Sequence, residues 1–468
     1  MSEEQFDLIV LGGGMGGYVG AIRASQLGFK TALVEKAKVG GTCLHQGCIP
    51  TKALLHTADL LDSFRRHDEF GISLQGEVSL DYPRAQDAKN KVVTQLWRGV
   101  QFLMKKNKIS VYEGTGRISA PGTVTVTTAK GEEVLRGKDI LVATGSVPRA
   151  LPGLPFDGQR VLSSDHVLEK QDVPDRILII GGGAIGVEFA SMYADFGSKV
   201  TLVEMLPHIL PQDEAEVATE LTKIFTKRGI TVHAGAQIDV ANISVSKKGI
   251  SAEVTKSDGK AEEIAADALL VAIGRQPLTA DIGLEAVGVT MNRGFVEVDD
   301  QYRTHAPHVY AVGDCIGGYL LAHVAAHEGM LAVEGIAGQN PEPLDPNRVP
   351  RVTYCRPEVA SLGLTEEQAK TGGHEVKTGV FPFRANGKSL ILGEGEGFVK
   401  LIADARTNDL LGAHIIGPHA SDLINEMALA KFLEATAWEV AESVHAHPTV
   451  SEVLHEAALA VEGRGIHM

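Results

Sequence analysis

Phe6-Asp7-Leu8-Ile9-Val10-Leu11-Gly12-Gly13-Gly14-Met15-Gly16-Gly17 decides the fold of this chain, because a short aliphatic run breaks directly into clustered glycines. Such a run reads as a buried parallel strand, and Tyr18 to Leu27 after it reads as a helix. Thr31-Ala32-Leu33-Val34-Glu35 then supplies a second apolar strand that ends in a carboxylate. The pattern recurs. Arg176-Ile177-Leu178-Ile179-Ile180 runs into Gly181-Gly182-Gly183-Ala184-Ile185-Gly186, a helical stretch Val187 to Phe196, and Val200-Thr201-Leu202-Val203-Glu204. A lone G-x-G-x-x-G is a weak signal, since glycine-rich turns are common. Here each copy sits between strand and helix, with an acidic residue 23 positions after its first glycine. That context is what a dinucleotide requires. The first glycine makes the tight turn, the second admits a pyrophosphate, and the third packs helix on strand with its N-terminus facing the negative charge. Glu35 and Glu204 are expected to accept hydrogen bonds from ribose hydroxyls. A carboxylate at Glu204 repels a 2′-phosphate, and Met205-Leu206-Pro207 offers no basic residue to hold one, so NAD is favoured over NADP.

At 468 residues the chain exceeds one hydrophobic core. Its expected class is α/β, with two Rossmann-like dinucleotide-binding domains and a C-terminal α+β domain. Thr123 to Thr127 alternates as a half-buried strand does. Leu151-Pro152-Gly153-Leu154-Pro155 is one joint, and Asn340-Pro341-Glu342-Pro343-Leu344-Asp345-Pro346 is a second. Beyond it, Phe398 to Ala403 reads as strand and Ser421 to Ala435 as helix. With 44% hydrophobic and 22% charged residues, the composition is that of a globular protein. The net charge of −15 argues against nucleic acid or an anionic membrane as partner. The acidic start Met1-Ser2-Glu3-Glu4-Gln5 lacks the basic stretch of a signal peptide. No apolar run reaches the roughly 18–20 residues of a membrane span. A cytoplasmic location is expected, or a matrix location after removal of a transit segment.

Four cysteines occur, at 43, 48, 315 and 355. In a reducing compartment a close pair points to redox or metal chemistry rather than to a structural staple. The pair lies in Gly40-Gly41-Thr42-Cys43-Leu44-His45-Gln46-Gly47-Cys48-Ile49-Pro50-Thr51-Lys52. Five steps of regular helix rise about 7.5 Å and turn the two side chains apart, whereas a disulfide needs Cα atoms within roughly 4.4–6.8 Å. The pair closes only across a distorted turn, for which Gly47 gives the freedom. Two free cysteines, or half of a zinc site, remain alternatives. A zinc site would need two more ligands, and Cys315 and Cys355 form no matching second knuckle, so no metal is expected. Near the C-terminus His447 precedes Glu452 by five positions. A histidine titrates nearest neutral pH, and an acid is suited to orienting its ring.

Taken in order, these segments resemble the flavoprotein family of pyridine nucleotide-disulfide oxidoreductases, most closely its dihydrolipoamide-oxidising branch. The likeness runs over essentially the whole chain. It includes Ala143-Thr144-Gly145-Ser146, Ala272-Ile273-Gly274-Arg275, Val312-Gly313-Asp314 and His445-Ala446-His447-Pro448-Thr449-Val450-Ser451-Glu452. The resemblance implies FAD, held by Gly12, Gly14, Gly17, Glu35, Thr42, Lys52, Gly116, Thr144, Gly145, Asp314 and Ala322. It implies NAD, held by Gly181, Gly183, Ile185, Gly186, Glu204 and Gly274. It further implies a redox-active Cys43–Cys48 disulfide, His447 with Glu452 as the base, His445 in support, and a Lys52–Glu188 ion pair beside the flavin. The implied division is an FAD domain over 1–150, an NAD domain over 151–275, a central domain over 276–345 and an interface domain over 346–468. A homodimer is implied, each active site drawing its base from the partner chain, together with lipoyl domains and the acyltransferase core of a 2-oxo acid dehydrogenase complex. His45-Gln46 stand where many relatives carry Asn-Val. An NADPH-linked glutathione-type reductase would want basic residues near Glu204 and a segment ending Val-Pro-Lys-Lys. A mercuric reductase would carry a late cysteine pair, and a non-catalytic NAD-sensing flavoprotein would not need Cys43, Cys48, His447 and Glu452 together.

Overall fold

The aliphatic run before the first glycines forms β1 (Gln5–Leu11), buried from Leu8 to Leu11. Helix α1 (Met15–Gln26) follows, then β2 (Thr31–Glu35). β1 pairs in parallel with β2, Leu8 opposite Thr31, and on its other side with Gly131–Val142, Leu11 opposite Val142. This is one βαβ unit. The second fingerprint builds the same unit from Arg176–Ile180, Ala184–Asp195 and Lys199–Glu204, again parallel, with Leu178 opposite Thr201. Both helices begin three residues before the expected Tyr18 and Val187. Glycine disfavours helix interiors by about 1 kcal/mol, so the glycines read as loop. Packing overrides the propensity: a Cβ on Gly17 would lie 1.9 Å from the Gly12 carbonyl oxygen, and one on Gly186 would lie 1.9 Å from that of Gly181.

The computed structural model describes residues 5–467; Met1–Glu4, most of the acidic start, and Met468 lie outside them. The chain divides into two units. The first gathers Met1–Ala53, Pro83–Arg149 and Arg275–Leu344. Its sheet runs Ser110–Glu113, β2, β1, Gly131–Val142, Thr123–Thr128, Thr115–Ala120, and Val309–Ala311 joins Gly131–Val142 in parallel. Leu8, Val10, Leu33 and Leu141 share a core with Val312 and Ala332.

The second unit gathers Leu54–Tyr82, Ala150–Gly274 and Asp345–Met468. One parallel sheet runs Thr231–Ala234, Lys199–Glu204, Arg176–Ile180, Ala268–Val271, Val161–Leu162. Beside it, Gln237–Ser246, Gly249–Thr255 and Ala261–Ala266 form an antiparallel sheet. The C-terminal segment forms another antiparallel sheet, in the order Arg351–Thr353, Glu358–Gly363, Leu410–Gly417, Phe398–Asp404, Val376–Pro382. Helices Ala420–Phe432, Ala437–Glu442 and Glu452–Val461 close one core with it, through Leu401, Ile415, Ile424, Met427 and Leu454. Among the described residues no helix is long and apolar enough to cross a membrane.

Candidate active site

The cysteine segment breaks at Gly47. Cys43 lies in a short helix, α2 (Gly41–Gln46), and Cys48 opens the long helix α3 (Cys48–Arg65). Gly47 has φ −148° and ψ −113°, outside helical geometry. A Cβ there would press to 3.0 Å from the Thr42 carbonyl oxygen. The distorted turn that the spacing demands is therefore present, and Cys48 takes the positive end of α3, where a thiolate is favoured. Both cysteines are half-buried. Their hydrogen bond, reinforced by burial, pushes the Cys43 pKa well above the ordinary thiol value, while the charge of Lys52 opposes the rise. The Cys43 proton stays on unless something removes it.

The pair is seated on the first fingerprint. The Gly40 N–H donates to the Gly13 carbonyl at 2.7 Å. Gly41 has φ +59°, and a Cβ on it would lie 2.5 Å from Gly14 Cα. No side chain fits where the cysteine segment crosses the glycine loop. Gly14 itself caps α1 with no side-chain hydrogen bond, and a Cβ on it would meet nothing within 4 Å. Open ground at a helix N-terminus suits a pyrophosphate. Glu35 frames it, one oxygen accepting from Gly13 N–H at 2.7 Å and the other from Ala37 N–H at 2.8 Å.

Thr144 and Gly145 follow the strand Gly131–Val142, and the Gly145 carbonyl accepts from Leu278 N–H at 2.9 Å. Asp314 accepts from the Ser146 hydroxyl. Arg275 Nε donates to Ser146 Oγ at 2.7 Å and stands 3.7 Å from an Asp314 oxygen. Ser146 and Arg275 thus fix Asp314, a role the sequence reading did not assign although both lie in its quoted segments. Glu328 was missed altogether. It is 7% exposed, accepts from Gly313 N–H at 2.7 Å, and burial pushes its pKa up to about 7. Ala322 starts the helix Ala322–Ile336. A Cβ on Gly116 would reach 2.7 Å from Leu11, so that glycine has a packing reason of its own.

In the second unit Gly183 caps Ala184–Asp195 without a side-chain bond and also faces open space, as does Gly274. Ile185 stands in the first turn of that helix. Glu204 is 8% exposed, with its oxygens on Gly182 N–H at 2.6 Å and Leu206 N–H at 2.8 Å. A carboxylate has about four lone-pair sites, so Glu35 and Glu204 keep capacity for sugar hydroxyls. Glu188, 5% exposed, accepts from Tyr354 N–H at 3.0 Å.

His447 and Glu452 meet as expected. His447 Nδ1 donates to Glu452 Oε1 at 2.8 Å, and Thr449 N–H donates to Glu452 Oε2 at 2.8 Å. Burial works to raise the Glu452 pKa, but the bonds from Thr449 and His447 outweigh it and hold it below the ordinary value. The acid stays ionised and fixes the tautomer, leaving the lone pair on Nε2 of a side chain that is 80% exposed. His445 differs. Its Nδ1 meets the Ser443 carbonyl at 3.0 Å and its Nε2 meets Glu426 at 2.8 Å. Two acceptors call for two N–H groups, and the Glu426 bond raises the His445 pKa. With both ring nitrogens engaged, His445 braces the segment through its hydrogen bonds and is not placed to act as a base. A group whose pKa rises on folding stabilises most at low pH, and that contribution fades as pH climbs through the raised value. The Tm advantage of wild type over His445→Gln is therefore expected to shrink above about pH 6.5, the ordinary imidazole value, in thermal melts across pH 5.5–9. A constant difference would refute the assignment.

Two dinucleotide cradles, a dithiol lying on one of them and an oriented imidazole define a class. The chain belongs to the pyridine nucleotide-disulphide oxidoreductase family, whose model matches residues 6–329, with that family's dimerisation domain over residues 349–458. It is an oxidoreductase whose cofactors are FAD and NAD. Its relatives include the dihydrolipoyl dehydrogenase of Bacillus subtilis (strain 168), 50% identical over 99% of both chains. That of Chlorobaculum tepidum is 46% identical over 97% of this chain and 96% of its own. Among solved structures, LpdA from Mycobacterium tuberculosis matches with a TM-score of 0.88 at 29% identity, over 97% of this chain and 99% of its own.

Proposed function

We infer that this protein oxidises dihydrolipoamide to lipoamide and reduces NAD+ to NADH, through a Cys43–Cys48 disulfide. The observation that carries the reading is the hydrogen-bonded pair Cys43 and Cys48, seated on the first glycine loop beside Lys52. Gly12, Gly14, Gly17, Glu35, Thr42, Lys52, Thr144, Gly145 and Asp314 hold FAD; Gly181, Gly183, Ile185, Gly186, Glu204 and Gly274 hold NAD. When bound, FAD supplies the two-electron carrier that lets NAD+ reoxidise the reduced dithiol.

The chain's own residues do the sulfur chemistry. His447 Nε2 takes a proton from one thiol of dihydrolipoamide. The resulting thiolate attacks Cys43 Sγ, the Cys43–Cys48 bond breaks, and Cys48 leaves as a thiolate at the start of α3 with Lys52 nearby. The second substrate sulfur, once deprotonated, attacks the sulfur bound to Cys43. Lipoamide closes, Cys43 leaves with its electron pair, and the protons end on the enzyme dithiol and the base. Glu452 stabilises the imidazolium at each transfer.

The family's dimerisation domain fits a homodimer. Its physiological partners are the lipoyl domains and acyltransferase core of a 2-oxo acid dehydrogenase complex, and bacterial relatives support a cytoplasmic location. The division into FAD (1–150), NAD (151–275), central (276–345) and interface (346–468) domains goes with this reading. Dihydrolipoamide with NAD+, run beside glutathione disulfide with NADPH, tests it. Turnover is expected in the first pair, and turnover confined to the second would overturn it.

Cofactor choice follows from Glu204. Like charges brought together at a binding site cost several kcal/mol, so kcat/KM for NAD should exceed that for NADP by roughly a hundredfold or more. Glu204→Ala with Met205→Arg should narrow the ratio. It should also raise KM for both cofactors, because Gly182 and Leu206 N–H lose their acceptor. Equal use of the two by the wild type would contradict the role given to Glu204.

A further inference from the structure

α2 has six residues, too few to hold a helix in isolation. It is bounded by Gly40 at φ +116° and Gly41 at φ +59° on one side and by Gly47 on the other, so glycine joints lie at both ends. Side-chain contacts must therefore fix it. Consecutive helical residues point about 100° apart, which sends Cys43, Leu44 and His45 in three directions. Leu44 is buried in a core with Val39, Leu8 and Leu33. His45 Nε2 donates to the Val39 carbonyl at 3.1 Å, and its ring meets Trp97 edge-on at 6.2 Å and 76°. Lys38 Nζ lies 4.9 Å over the same indole. Trp97 belongs to the helix Tyr82–Lys106, anchored by buried Val100 and Met104. The His45 face of α2 is thus tied to two separate segments, and Cys43 is the face left to meet Cys48.

We propose that His45 is a positioning residue for Cys43: its bond to Val39 and its contact with Trp97 hold α2 in place when the disulfide is open. The proposal rests on the reading of Cys43 and Cys48 as a redox pair. Opening that disulfide removes the side-chain cross-link between α2 and α3 and leaves them joined only through the Gly47 backbone. Beyond that joint and the seat of Gly40 and Gly41 on the first glycine loop, what then keeps Cys43 beside Cys48 is their hydrogen bond, Leu44 and the His45 tie. Loosening the tie lowers the effective concentration of one thiol at the other and so disfavours reclosure. The exchange equilibrium moves toward enzyme dithiol plus lipoamide, and Cys43 becomes more accessible.

The test uses the FAD-loaded protein as wild type, His45→Ala and His45→Gln. Each is equilibrated anaerobically with dihydrolipoamide/lipoamide mixtures, its dithiol fraction is titrated, and Cys43 alkylation by iodoacetamide is followed by peptide mass. A net hydrogen bond of ordinary strength predicts about a three- to tenfold shift of the exchange constant toward dithiol in His45→Ala. Alkylation of Cys43 should quicken by a similar factor, while FAD content and Tm stay close to wild type. Gln keeps an N–H donor and should restore most of both values. No change in His45→Ala, or an equal change in His45→Gln, would overturn the proposal while leaving the redox reading intact. If the wild type gains no pair of thiols on reduction, the redox reading falls and takes the proposal with it.

Discussion

Replacing Cys43 or Cys48 by serine is expected to reduce dihydrolipoamide oxidation to background while leaving FAD bound and reducible by NADH. Serine is nearly isosteric with cysteine, and α2 is held through Leu44 and His45 rather than through the thiol. The fold should therefore survive. A hydroxyl forms no disulfide, so the exchange step has no acceptor sulfur in either variant. The two variants should differ in one respect. In the wild type the hydrogen bond to Cys48, with burial behind it, keeps the Cys43 proton on. With Cys48→Ser that partner is no longer a thiol able to ionise, so the Cys43 pKa drops toward the ordinary range. Its alkylation near pH 8 should quicken, as a pH profile of iodoacetamide labelling would show. Normal turnover by either variant would end the disulfide mechanism.

The parts of this site that were legible in the sequence are those decided locally. Gly17 and Gly186 must be glycine because a carbonyl of the same turn lies where a Cβ would go. Glu35 and Glu204 end strands next to the loops they bind, and their bonds to Gly13 and Gly182 are the same bond made twice. The His447–Glu452 pair is likewise short in sequence, its partners meeting across one turn. The positions that escaped depend on distant segments. Arg275 reaches Ser146 and Asp314 only because Arg275–Pro277 pairs with Ser146–Pro148. Glu328 bonds Gly313 only because the helix Ala322–Ile336 turns back on the segment before it. Trp97 finds His45 across fifty residues of chain, and spacing carries no trace of that contact. The early helix starts escaped for another reason, since glycine's poor helix propensity argues for loop at positions that the close approach of the Gly12 and Gly181 carbonyls reserves for glycine within the helix.

His447→Gln is expected to lower the rate of the dihydrolipoamide half-reaction by about 10²–10⁴-fold, the usual cost of losing a general base. Flavin reduction by NADH should stay largely intact, because hydride transfer needs no base at the dithiol. The structure sharpens the reason. Glu452 is held ionised by Thr449 N–H and binds His447 Nδ1, which leaves Nε2 as the acceptor on an exposed ring. Glutamine offers no basic nitrogen there, whatever its fit. The loss should appear in kcat more than in KM, since proton removal is a feature of the transition state rather than of binding. Stopped-flow measurement of each half-reaction separates the two. If the base of one chain serves the cysteine pair of the other, subunits carrying His447→Gln and subunits carrying Cys43→Ser complement each other. A mixed dimer pairs one intact dithiol with one intact imidazole and regains up to one working site of two. Verified mixed dimers that recover nothing would show that the base acts within its own chain.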